Sequence, residues 1–106
     1  MCSSDLLVAD DENQILTLLG SHFKRSGCYT DCVNSLASAT RIISTNQYDA
    51  ILTDNDMGTQ NDGIQLAKFV LSQPQRPLLY LMSGRVQANE INFQELGIKK
   101  FFLKPM

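Results

Sequence analysis

The sequence predicts a doubly wound α/β fold, a parallel sheet wrapped by helices, and three observations carry that expectation. The apolar pattern switches five times between short runs and helical spacing, with no internal repeat and no low-complexity linker. The clearest runs are apolar throughout rather than alternating, as in strands buried on both faces. With 106 residues the chain is long enough for one such core, so residues 1–106 are read as a single domain. Alternating strands and helices imply βαβ units with right-handed crossovers.

Leu6-Leu7-Val8-Ala9 is the first strand. From about Asn13 to Ser26 the spacing is helical: Ile15, Leu19 and Phe23 share a face, and Gly27 stands where a helix C-cap belongs. A weaker strand runs over Tyr29 to Val33, followed by a helix from about Ser35 to Thr45 with Leu36, Ala39, Ile42 and Ile43 inward. Tyr48 to Thr53 reads as the third strand, and Asp54 to Gly63 as a loop rich in Asp, Asn and Gly. Ile64 to Ser72 forms a third helix, closed by Pro74 and Pro77. Leu78 to Met82 is the fourth strand, Val86 to Leu96 the fourth helix, and Phe101-Phe102-Leu103 the fifth strand.

Bulk properties narrow the partners. Hydrophobic residues make up 43% and charged residues 19%, an ordinary globular balance. A net charge of −2 offers no electrostatic footprint for nucleic acid or a membrane surface. No apolar run approaches the roughly 18–20 residues that span a bilayer, and Met1-Cys2-Ser3-Ser4-Asp5 lacks the features of a secretory signal. Cys28 and Cys32, four residues apart on one extended strand at about 3.3 Å per residue, are too distant for a disulfide. Reduced cysteines in a cytoplasmic protein are therefore expected.

In doubly wound sheets ligands bind beyond the carboxyl ends of the strands. Reading those ends in order gives Asp10-Asp11, Asp54, Ser83-Gly84 and Lys104-Pro105. Each has an ordinary explanation alone: Asp11 or Ser83 as a helix cap, Asp54 in an Asx-turn, Lys104 as a solvated strand end. Their joint placement at four strand ends points to chemistry. Carboxylates within about 4 Å repel by roughly 4 kcal/mol per pair at an effective dielectric near 20. One lysine cannot offset that, so a hard divalent cation with oxygen ligands, Mg²⁺, is expected. A carboxylate beside such a cation, a lysine and a hydroxyl is equipped to accept a phosphoryl group.

With these residues in place the chain resembles the receiver domain of two-component response regulators, the CheY-like superfamily. The resemblance runs from Leu6 to Pro105 and is carried by Leu7 to Glu12, Tyr48 to Met57, Asp62-Gly63, Leu81 to Gly84 and Phe101 to Pro105. It implies a flavodoxin-like sheet of order 2-1-3-4-5. It makes Asp54 the phosphoacceptor, with Asp11 and Asp54 holding Mg²⁺ directly, Asp10 acting through water and the main-chain carbonyl of Asp56 adding a ligand. Ser83 would hydrogen-bond the phosphoryl group and Lys104 would pair with it. Phe101 takes the place of the switch aromatic, whose rotamer follows the Ser83 hydroxyl; an ordinary core phenylalanine is the other reading. The implied partner is a sensor histidine kinase or a histidine phosphotransfer protein.

The chain departs from the family pattern at two places. Gly58 stands where a proline is usual, and no fifth helix follows Lys104-Pro105. The missing helix leaves a sheet face beside the last strands uncovered, which predicts a C-terminally truncated domain. The natural chain would then continue beyond Met106 into an output domain, or the face would be covered by self-association or a partner. His22, with no second ligand at metal spacing, reads as a surface histidine. Two other functions compete. One is a phosphate-independent interaction module, the other a haloacid-dehalogenase-like phosphatase using Asp54 and Asp56. Against the phosphatase, the aspartate pair follows the third strand rather than the first, and Asp10-Asp11 would be unexplained.

Overall fold

The computed structural model describes residues 5–55, 62–74, 77–83 and 97–103, without the side chains of Ser83, Phe101 and Leu103. In chain order these form β1 (Asp5–Ala9), α1 (Asn13–Arg25), β2 (Tyr29–Val33) and α2 (Leu36–Thr45). There follow β3 (Ala50–Asp54), α3 (Asp62–Leu71), β4 (Leu78–Ser83) and β5 (Ile98–Leu103). The strands make one sheet in the order β2-β1-β3-β4-β5, every neighbouring pair parallel. The expected doubly wound, flavodoxin-like architecture is thus observed. The fourth helix expected over 86–96 and the chain after Leu103 lie outside the described residues.

Local chemistry explains the element ends. Gly27, at φ +89°, adopts the left-handed conformation just past α1. There its N–H donates to the Lys24 carbonyl at 3.0 Å, and the Cys28 N–H reaches back to Phe23 at 3.0 Å. This pair of bonds satisfies carbonyls that the end of a helix leaves open. At the start of α2, the Ser35 hydroxyl accepts the Ser38 N–H at 3.1 Å.

β3 begins at Ala50 rather than Tyr48 and β5 at Ile98 rather than Phe101, and two boundaries next to the strand ends matter more. Asp54, expected in a loop, belongs to β3: it pairs with Met82 of β4, and the next N–H, of Asn55, donates to the Met82 carbonyl at 2.8 Å. Asp62 and Gly63, expected in the same loop, form the first turn of α3. The cysteines need a correction too. Cys32 is free, but Cys28 is disulfide-bonded, with a partner outside the described residues. The expectation weighed only the Cys28–Cys32 pair, so a more distant partner escaped it.

The two sheet faces are covered unequally. On one, Leu7, Ile51, Leu79 and Leu81 are at most 1% exposed and form a single cluster with Ile64, Leu66, Ala67 and Val70 of α3 and Ala39 of α2. On the other, α1 is the helix present among the described residues. Beside its Leu19 and Phe23, an apolar groove of about 520 Å³ opens over Leu52, Leu78, Tyr80 and Phe102. Leu78 is 50% exposed there. The uncovered face expected beside the last strands is therefore present among the described residues.

Candidate functional site at the carboxyl edge of the sheet

Asp10 leaves β1 directly into the site. Its N–H donates to the Val33 carbonyl at 3.1 Å, which carries the β1–β2 ladder one step past the strand. Its side chain is completely buried, and Oδ1 accepts the Glu12 N–H at 2.9 Å. Asp10 is thus the side chain that satisfies a backbone donor at the entry to α1, so the ordinary reading of Asp11 as a helix cap does not hold; Glu12 is the N-cap residue and makes no capping bond with its own side chain. This short loop turns Asp11 and Glu12 outward. Carboxylate oxygens of Asp10, Asp11 and Glu12 lie within 4.8 Å of one another.

Asp54 enters the site from the adjacent strand. It is the last residue of β3 and only 4% exposed. Ala9 pairs with Thr53, so Asp10 and Asp54 occupy the next positions on neighbouring strands, where strand spacing is about 4.8 Å. Ser83 closes β4 and pairs with Leu103, the residue before Lys104. Phe101 pairs with Leu81 in β5. Asp56, Gly84 and Lys104, and the side chains of Ser83 and Phe101, lie outside the described residues.

Three participants were not singled out from the sequence. Glu12 joins the tight carboxylate group, while Asp54 stands outside it. Asn55 is fully buried, and its carbonyl accepts the Gly63 N–H at 3.1 Å. The buried Thr53 hydroxyl donates to the Asp54 carbonyl at 3.0 Å. A third acid in the run Asp10-Asp11-Glu12 was the available clue to Glu12; nothing local marks Thr53 or Asn55.

Three carboxylates this close repel one another, and the positive end of α1 offsets only part of the cost. The donor set is all oxygen and opens to solvent through exposed Asp11 and Glu12. It fits a hard divalent cation that retains some of its water, the coordination habit of Mg²⁺.

Comparisons with known proteins bear on the family and the fold. SrrA, a transcriptional regulatory protein of Staphylococcus aureus, is 28% identical over 103 residues, which cover 97% of this chain and 42% of SrrA. The chain therefore spans less than half the length of that relative. The receiver domain of a Francisella response regulator is 27% identical, with a TM-score of 0.86 over 98% of this chain and 86% of its own. The receiver domain of a sensor histidine kinase from Pseudomonas aeruginosa, solved with a magnesium ion in its active site cleft, is 19% identical. Its TM-score is 0.84 over 99% of this chain and 88% of its own. The response regulator receiver domain family matches residues 6–106, nearly the whole chain, and the chain belongs to that family.

Proposed function

We propose that Asp54 is the phosphoacceptor of a Mg²⁺-dependent receiver domain and takes its phosphoryl group from a sensor histidine kinase or a histidine phosphotransfer protein. The observation that carries this reading is the position of Asp54. It is a nearly buried carboxylate at the end of the central strand, one strand from Asp10, whose own carboxylate groups with those of Asp11 and Glu12. A carboxylate oxygen of Asp54 forms the new O–P bond as the N–P bond of phosphohistidine breaks. The electron pair stays on the imidazole nitrogen; the ring leaves as neutral imidazole where its other nitrogen already carries a proton, and otherwise takes one up from solvent.

Asp11 and Asp54 would hold Mg²⁺ directly, with Asp10 acting through water and the Asp56 carbonyl as a further ligand. The bound ion supplies charge neutralisation at the phosphoryl oxygens. Ser83 hydrogen-bonds that group, Lys104 pairs with it, and Phe101 reports the change to an output surface. The domain acts as a switch, transferring and losing one phosphoryl group rather than turning over a substrate. Incubating the chain with phosphoramidate and Mg²⁺ should add one phosphoryl group by intact mass, and Asp54→Asn should abolish it. An adduct that persists in Asp54→Asn overturns the assignment, and continuous phosphomonoester turnover would favour a phosphatase.

The apolar groove beside α1 supports a second part of the proposal. Residues 1–106 form a receiver domain with an open apolar groove beside α1. The groove is closed by chain beyond Met106 leading to an output domain, or by self-association. Sedimentation of the 106-residue chain at high concentration tests this: a monomer with an ordinary melting temperature would show that the face is closed in another way. Among the described residues no helix is long and apolar enough to cross a membrane; a cytoplasmic location, without direct contact to nucleic acid, completes the reading.

A further inference from the structure

We infer that Gly63 is a positioning residue for Asp54, holding its backbone in place because α3 can approach there only without a side chain. This deepens the phosphoacceptor reading of Asp54 and rests on it. A Cβ added at Gly63 would lie 2.9 Å from the Asp54 carbonyl oxygen, 2.9 Å from Asn55 Cα and 2.5 Å from Leu81 Cδ1. The leucine methyl can swing aside; the two backbone atoms cannot.

Conformational freedom does not explain this glycine, since the described glycines with positive φ are Gly27 and Gly97. Within a helix, glycine costs about 1 kcal/mol relative to alanine, so the space it leaves is what α3 uses. The approach is tied down by polar contacts. The Gly63 N–H donates to the Asn55 carbonyl at 3.1 Å, and the Asn55 N–H donates to the Met82 carbonyl at 2.8 Å. The Thr53 hydroxyl donates to the Asp54 carbonyl at 3.0 Å. The peptide between Asp54 and Asn55 is thereby held by β4 and by a buried side chain of its own strand, while α3 holds the next peptide through the Asn55 carbonyl and packs its Gly63 backbone against the Asp54 carbonyl. The Asp54 carboxylate is built on that backbone, so a shift of the peptide displaces the attacking oxygen. Misplacement of a reacting group by about 1 Å can cost a factor of about 100 in rate.

The test is the rate at which phosphoramidate and saturating Mg²⁺ phosphorylate the full chain well below its melting temperature. In that reaction the Asp54 oxygen forms the O–P bond, the P–N bond breaks, and the nitrogen leaves as ammonia. Gly63→Ala should slow it by about tenfold or more. Gly20→Ala serves as a control for replacing a helix glycine away from the site: its Cβ would meet Cys32 Sγ at 3.1 Å, on the helix-to-β2 side of the molecule. With its melting temperature measured alongside, its rate should stay within about twofold of wild type.

If Gly63→Ala does not fold, Thr53→Val decides: the near-isosteric change removes the bond to the Asp54 carbonyl and should slow the reaction by about threefold or more. A Gly63→Ala rate within twofold of wild type overturns the inference. So does an equal loss in Gly20→Ala, or an unaltered Thr53→Val rate where that variant is the arbiter. Wild type that takes up no phosphoryl group overturns the phosphoacceptor reading itself, and this inference with it.

Discussion

The Tyr48 hydroxyl donates a 2.6 Å hydrogen bond to Oδ2 of Asp31, which ties the approach to β3 onto strand β2. Burial, followed by the bond and negative charge of Asp31, pushes the phenol well above its ordinary range. Tyr48→Phe should therefore cost about 1–2 kcal/mol in denaturant unfolding at neutral pH.

The sign of the pH dependence follows from the raised value. The folded state favours the protonated phenol, so its contribution is complete below the ordinary tyrosine value of about 10 and fades as pH rises above it. The stability difference between wild type and Tyr48→Phe should be constant up to about pH 9 and shrink by about pH 11.5. A difference that grows over that window would contradict the assignment.

Charge relief at the acidic group gives a prediction with a crossover. Without Mg²⁺, Asp11→Asn and Glu12→Gln each remove repulsion within the 4.8 Å group and should raise the melting temperature by about 2–4 °C. With millimolar Mg²⁺ the order should reverse for Asp11→Asn, because wild type gains binding energy that the variant lacks. Titration should also show Asp11→Asn weakening Mg²⁺ more than Asp10→Asn.

Gly27 carries a conformational requirement that alanine meets only under strain. With φ at +89°, Gly27→Ala should destabilise the chain by about 1–2 kcal/mol. The expected readout is a lower urea midpoint with an unchanged slope, since the exposed surface on unfolding is the same.

Cys32 should alkylate slowly. Its sulfur sits 3.8 Å from the Leu16 carbonyl, and burial pushes the thiol upward, with Asp31 adding to the shift and Lys24 opposing it. Iodoacetamide at about pH 8 should react with it roughly threefold more slowly than with a free peptide cysteine.

The alternation of apolar runs with helical spacing was enough, from the sequence alone, to determine the fold class and most element positions. It placed the first residue of α1 at Asn13 and β2 over Tyr29–Val33. It also brought Asp10, Asp54 and Ser83 to one edge of the sheet, because βαβ crossovers make the strands parallel and so put all their carboxyl ends on the same side. Tertiary structure decided the rest. β5 begins at Ile98 although Lys99-Lys100 interrupts the apolar run; Lys100 Nζ lies 5.3 Å from the Phe102 ring centre, and its strand position pairs with Tyr80. Asp54 belongs to β3 because of a ladder made with Met82, 28 positions along the chain. The disulfide at Cys28, the place of Glu12 beside Asp10 and Asp11, and the need for glycine at position 63 likewise depend on distances between atoms. Periodicity records which face of a segment seeks the core. How closely two backbones then approach is set by packing all the segments together, and no single segment carries that information.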